Sequence, residues 1–338
     1  MEAQTAACLI ALGSITVASS FVTMPLWSQM LVYSLSCIHL GTKRSLKLSP
    51  HSSIANDDSA AAMGAKEASK MPLMAGGMLV GLYLLLKYID KDLVSLVLSA
   101  YFAVLATICF KDFLLPTIQS RLPNLKKKYS KTVKISLISS EPIELVITAH
   151  DIVGLILCAP VSLAYMYTRH WLLNNLIGVT FSIFALESIP VSSFPVGYLL
   201  LGGMFFFDIF FVFGTDVMVT VAKKLDVPIK LLFPKPDGEF SLLGLGDIIL
   251  PGVFITLAYR YDFFLRLNKK SGTYYRNCMI GYVFGLATTI FIMLAFDSPQ
   301  PALLYLVPAV LLAHIGTAVV RGEVKEMWSY TEDAPHEE

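Results

Sequence analysis

The sequence predicts an all-α, polytopic membrane protein with about nine transmembrane helices. Of its 338 residues, 55% are hydrophobic and only 15% are charged, where a soluble domain carries about 25% charged residues. Mean hydropathy is +0.66. Apolar runs of helical length recur along most of the chain.

Taken in order, the runs predict spans at 7–40, 72–89, 93–112, 151–168, 171–190, 195–214, 241–259, 279–296 and 301–320. The first run exceeds the roughly 20 residues one crossing needs, and Pro25 interrupts it. Its positive charges (Lys43, Arg44, Lys47) follow it, without a basic stretch in front. That pattern favours a retained anchor over a cleaved signal peptide. Two loops are expected, at 41–71 and 113–150. The first is rich in Ser and Ala, and "ISLISSEPIELVITAH" (135–150) alternates enough for one or two short strands. The tail "YTEDAPHEE" is acidic and reads as unstructured. The organisation is therefore five helices with their loops over 1–190, a second set of four over 191–320, and an acidic tail over 321–338.

Lys and Arg set the orientation. Of the 26 in the chain, only Lys87, Lys91, Arg169, Lys223, Lys224, Lys230 and Lys235 fall on the side facing the 223–240 loop. The bias puts the C-terminus in the cytosol and, with nine spans, the N-terminus in the lumen.

Several chemistries are poorly supported. A net charge of +1 gives no reason to expect a nucleic-acid partner. The five cysteines are scattered without a C-x-x-C, so neither a disulfide framework nor a thiolate metal site is supported. No zinc-protease motif, nucleophile elbow, P-loop or dinucleotide fingerprint occurs. No cofactor or metal is expected.

Two aspartates sit deep in apolar runs: Asp208 in "GGMFFFDIFFVFG" and Asp247 in "SLLGLGDIILPGVF". Ionisable residues at that depth cost a few kcal/mol and mark function. Their depths are comparable only if the sixth span breaks. Run straight to Lys223, it would put Asp208 about 22 Å below its end, against about 9 Å for Asp247 below Ser241. Gly214-Thr215-Asp216 supplies a stop and an N-cap. A separate short amphipathic helix over 217–225, capped by Thr215 or Asp216, is expected. Gly244 and Gly246, flanking Leu245, allow two helices to approach closely. Two carboxyls so placed cannot both ionise, and they share one proton. The ionised one can take a proton from water, and the protonated one can polarise a carbonyl. In "SPQPALLYLVPA", Pro301-Ala302-Leu303 fits either an unwound backbone segment beside the pair or the first turn of a helix.

These motifs resemble a known family. "FDIFFVFGTDVMVTVAKKLDVPIKLLFP" (207–234), "LLGLGDIILPGVFI" (242–255), "QPALLYLVPA" (300–309), "RHWLLNNLIGVTFSI" (169–183) and "GEVKEMWSY" (322–330) are similar to the signal peptide peptidases. These are intramembrane aspartyl proteases that share the Gly-x-Gly-Asp and Pro-Ala-Leu elements with presenilins. The resemblance implies a presenilin-like fold and Asp208 and Asp247 as the catalytic pair. It implies support from Phe207, Gly244, Leu245, Gly246, Gln300, Pro301, Ala302 and Leu303. It also implies an endoplasmic reticulum membrane enzyme cutting remnant signal peptides and type II membrane segments, with a homo-oligomer left open. Phe207 departs from the family's usual Tyr, and Asp216 from its frequent Asn. A proton-coupled transporter or channel using the aspartates as a relay is the competing reading, and a catalytically silent membrane chaperone is a third. Unwound substrate is expected to add as a strand to "VPIKLLFP" (227–234) and to the Pro-Ala-Leu segment.

Overall fold

The computed structural model describes residues 25–46, 62–121, 130–135, 143–215, 217–224, 227–235, 239–296 and 300–332. Helix α1 spans Leu26–Ser45, α2 Ala65–Tyr88 and α3 Lys91–Arg121. A hairpin of β1 (Ser130–Ile135) and β2 (Ile143–Thr148) follows. Next come α4 (Ala149–Thr168), α5 (Trp171–Ser188), α6 (Phe194–Phe213) and the short α7 (Val217–Lys224). A second hairpin, β3 (Lys230–Pro234) and β4 (Phe240–Gly244), leads into α8 (Leu245–Leu267). Helices α9 (Tyr274–Phe296), α10 (Leu303–Arg321) and α11 (Val324–Ser329) complete the chain.

Eight of these helices are long and apolar enough to cross a membrane: α2 to α6 and α8 to α10. They correspond to the second through ninth expected spans. Most of the first expected span lies outside the described residues. Its second half is α1, and Pro25 is the N-cap of that helix. Two spans begin or end well beyond the apolar run. Helix α2 starts at Ala65 and absorbs Pro72, and α3 continues to Arg121. Hydropathy marks where a helix is greasy and leaves its ends to capping. At α4, Thr148 and Asp151 form a reciprocal cap: the Thr148 N–H donates to the Asp151 carboxylate and the Asp151 N–H to the Thr148 hydroxyl. Of the strands, β2 lies inside the stretch expected to hold one or two, and its partner β1 precedes that stretch, sharing only Ile135 with it.

Helix α8 is the centre. It packs on α1, α5, α6, α9 and α10, and fourteen of its residues are buried. Glycines permit the tightest crossings. A Cβ on Gly252 would sit 2.7 Å from Leu186 of α5, and one on Gly281 of α9 would sit 2.7 Å from the Ala309 carbonyl oxygen of α10. The outer faces of α2, α3, α4, α6, α9 and α10 expose Leu, Val, Ile and Phe, as a lipid-facing surface should. A shallow groove of about 630 Å³ between α9 and α10, floored by Gly281, Ala313 and Gly316, includes neither aspartate.

Polar bonds gather at the end of the bundle where α6 begins. Arg260 of α8 is 1% exposed, and its guanidinium pairs with Glu332, 2% exposed, at 2.6 Å. It also donates to the Ser45 carbonyl at 3.1 Å. The chain before α6 is gripped from both sides. The Glu332 N–H donates to the Ser192 carbonyl, and the Ser192 N–H donates to the Met63 carbonyl. Tyr330–Glu332, expected to be unstructured, are thus packed. An acidic residue that meets a buried guanidinium is not free to stay in water. The rest of the tail, 333–338, is outside the described residues.

Removing one partner of a buried pair strands the other charge, at a cost of about 3–5 kcal/mol. Glu332→Ala should therefore clearly lower the midpoint of thermal unfolding in detergent. Glu326→Ala, which breaks the solvent-exposed pair with Lys270, should leave that midpoint unchanged.

Candidate active site

Helix α6 is apolar on nearly every face, and Asp208 is its one acidic side chain. The helix stops as expected, with Gly214 as its C-cap. The Thr215 hydroxyl donates back to the Phe211 carbonyl at 3.0 Å. Thr215 therefore finishes α6, which leaves Asp216 of the two residues expected to cap the next helix. Asp216 is outside the described residues. The separate short helix is present as α7, and it buries Val221 among Leu86, Val94 and Val227. Asp208 lies five residues from the end of its helix and is 5% exposed.

The approach to Asp247 differs from the expected one. Residues 241–244 are strand, and α8 begins at Leu245 with Gly244 as N-cap. Asp247 is therefore the third residue of its helix, in the first turn, and not six residues down a continuous span. Its carboxyl accepts the Gly244 N–H. Helix N-termini favour negative charge, so α8 itself stabilises an anion here. The two glycines also act differently than expected. A Cβ on Gly244 would lie 3.1 Å from Asp247 Oδ2, whereas one on Gly246 would meet nothing within 4 Å. Gly244 makes room for the carboxyl, and Gly246 leaves open space. Neither serves a helix–helix crossing.

A second helix start completes the site. The Leu303 N–H, at the first position of α10, donates to Asp208 Oδ2 at 3.0 Å. Pro301 and Ala302 accept from Leu304, Tyr305 and Leu306, so they form the opening turn of α10. Of the two expected readings of this segment, the structure shows the first turn of a helix. It is a helix start, and its unpaired first-turn amide is the partner of Asp208. The two aspartates act on each other electrostatically, and α6 and α8 are in contact.

The other candidate residues divide. Gln300 is half-buried just ahead of the α10 turn. Leu245 is buried against Gly178 of α5, and its N–H donates to the Ile229 carbonyl. The Phe207 ring lies against Phe211, 4.7 Å between centroids, and towards Gly76 of α2. Leu245 and Phe207 thus hold the neighbouring elements in place.

Sequence reasoning missed the asparagines of α5. Asn175 donates to the Leu232 carbonyl and accepts the Leu232 N–H, both at 2.7 Å, while Asn174 donates to the Lys230 carbonyl at 2.7 Å. One side-chain amide thus copies a neighbouring strand. Two amides side by side in "WLLNNLIGV" were the available signal. Their consequence is a correction: the outer edge of β3, expected to receive substrate, is already occupied. Leu232 and Leu242 face each other in the register. Since the Leu232 peptide groups turn to Asn175, those of Leu242 turn away from β3. Among the described residues no third strand lies beyond β4.

A family model described as signal peptide peptidase matches residues 55–334. The chain belongs to the signal peptide peptidase family. It is 38% identical over 320 residues to a signal peptide peptidase of Mus musculus, covering 91% of this chain and 84% of that one. It is 36% identical over 320 residues to the Homo sapiens signal peptide peptidase, with the same coverage. A probable intramembrane protease of Schizosaccharomyces pombe is 36% identical over 278 residues, 79% of this chain and 84% of that one. This member of the family is a multi-pass membrane protein and an intramembrane aspartyl protease, a peptide-bond hydrolase. The transporter reading finds no support among these relatives.

Gly244 has φ −64° and ψ 139°, which any residue adopts. Gly244→Ala should therefore disturb only the Asp247 carboxyl that its methyl would crowd. The expected result is a fall in turnover of about tenfold, equivalent to about 1.4 kcal/mol of lost transition-state stabilisation. Cleavage kinetics of purified protein, with elution and thermal unfolding unchanged, check this.

Proposed function

We propose that Asp208 and Asp247 are the catalytic pair, and that the protein cleaves remnant signal peptides and type II membrane segments in the endoplasmic reticulum membrane. The observation that carries this reading is the anchoring of each carboxyl by a backbone N–H. Leu303 holds Asp208 and Gly244 holds Asp247. Each aspartate keeps acceptor capacity for water, for the shared proton or for substrate. The N-terminus is lumenal and the C-terminus cytosolic on the charge bias. Residues 1–190 carry the first five spans with their cytosolic loops, 191–320 the four catalytic spans, and 321–338 the cytosolic acidic tail.

The chemistry follows from one proton shared by two acids. The ionised carboxylate takes a proton from water as the oxygen attacks the scissile carbonyl carbon. The protonated carboxyl gives its proton to the carbonyl oxygen, forming a tetrahedral diol. Collapse of the diol breaks the C–N bond, and the amine leaves with a proton returned by the pair. The roles belong to the pair and are not divided between its members.

The substrate must first give up its helical hydrogen bonds, which is costly in an apolar site. The outward-facing peptide groups of Leu242 on β4 are suited to receive it by strand addition. This edge runs directly into Gly244 and Asp247.

Incubation of purified protein with a signal-peptide substrate, followed by mass spectrometry of the products, tests the reading. Asp208→Asn and Asp247→Asn should each abolish cleavage; cleavage that persists in either would end the dyad mechanism. Leu242→Pro removes a donor that β3 does not use, at an edge position where proline is tolerated. It should lower kcat/KM about tenfold, the scale of one lost hydrogen bond, while the protein stays folded.

A further inference from the structure

The backbone of Asp247 has a defect that its own helix cannot repair. In an α-helix the carbonyl of residue 247 accepts the N–H of residue 251. Residue 251 is Pro251, inside α8, and proline has no N–H. Its ring also crowds the carbonyl four residues back and turns it outward. A carbonyl left unpaired away from water costs free energy. The chain supplies the partner from elsewhere. The Tyr282 hydroxyl, on α9, donates to the Asp247 carbonyl at 3.3 Å. Tyr282 is 0% exposed, and its hydroxyl is also hydrogen-bonded to Ser34 of α1. The first turn of α8 is thereby tied through one phenol to α9 and α1.

We propose that Tyr282 is a positioning residue for Asp247, its hydroxyl replacing the amide that Pro251 cannot offer and fixing the backbone from which the carboxyl projects. The proposal rests on the reading of Asp208 and Asp247 as the catalytic pair. It says that the hydroxyl matters because of Pro251, 31 positions away in sequence. A tyrosine needed only for its bulk would be indifferent to that residue.

A double-mutant cycle separates the two. In the natural chain Tyr282→Phe keeps the ring and loses the hydrogen bond. It should lower kcat by roughly fivefold to tenfold, the worth of one buried hydrogen bond, with KM little changed. Pro251→Ala restores an N–H to the Asp247 carbonyl. In that background Tyr282→Phe should cost less than about twofold. Equal losses in both backgrounds overturn the proposal. A second measurement does not depend on position 251. Tyr282→Phe should weaken binding of a peptide mimic bearing a hydroxyl at the scissile position by about the factor lost in kcat. Affinity for the same peptide without the hydroxyl should be unchanged. An unweakened hydroxyl mimic overturns the proposal even if Pro251→Ala proves too damaging to compare. Asp247→Asn run alongside keeps the two readings apart. Cleavage surviving that substitution defeats the dyad, whereas a dead Asp247→Asn with a flat cycle defeats only the role of Tyr282.

Discussion

A peptide group removed from water must find a hydrogen-bond partner in the protein, and this constraint organises the site. An α-helix satisfies its own middle and leaves its first amides unpaired. The protein places its acids where those amides are. Leu303 opens α10 and donates to Asp208; Gly244 caps α8 and donates to Asp247. Each carboxyl completes a helix end that would otherwise be unsatisfied, so the acids and the helix starts stabilise one another. This explains how two ionisable groups can sit among phenylalanines and leucines.

The same constraint accounts for the asparagines of α5. A hairpin near the site has two outer edges, and both would need partners inside the protein. Asn174 and Asn175 close the β3 edge with side-chain amides. The outer edge of β4 has no third strand beyond it among the described residues. Leu231 and Phe233 bury their side chains against α5 and α1, with Phe233 edge-on to Tyr33 at 5.4 Å. The hairpin is thus held by one edge and one face, which leaves the other edge available. At the far end of α6, Arg260, Glu332 and the Met63–Ser192 bonds hold the entry of that helix. The helix that carries Asp208 is therefore fixed at its origin as well as at its acid.

Much of this was legible in the letters and some was not, for identifiable reasons. Apolar runs located α2 to α6 and α8 to α10 because lipid selects for composition. Gly214 announced the end of α6 because a helix stop is local. The 241–244 strand was hidden inside "SLLGLGDIILPGVF", since a short apolar stretch reads equally as strand or helix. Only its pairing with Lys230–Pro234 decides the matter. Glu332 looked like part of an acidic tail because its partner, Arg260, lies 72 positions away. Gly246 looked like a packing glycine, and its neighbourhood is open space. Local chemistry was readable; long-range pairing was not.

Pro251 shows why a local defect can be useful. A catalytic residue in an unbroken helix takes its position from that helix alone, and small bends move it freely. Removing one bond of the ladder lets the first turn of α8 take its position from outside. The Asp247 carbonyl answers to Tyr282 on α9, and Tyr282 to Ser34 on α1. Asp208 answers to Leu303 at the start of α10, and α9 and α10 are locked together where Gly281 and Gly285 admit the backbone of α10. The two acids are on α6 and α8, and each is also bonded to the α9–α10 pair, Asp247 to Tyr282 and Asp208 to Leu303. A site held in this way is rigid while the helix pair stays packed, and it does not depend on the α6–α8 contact alone.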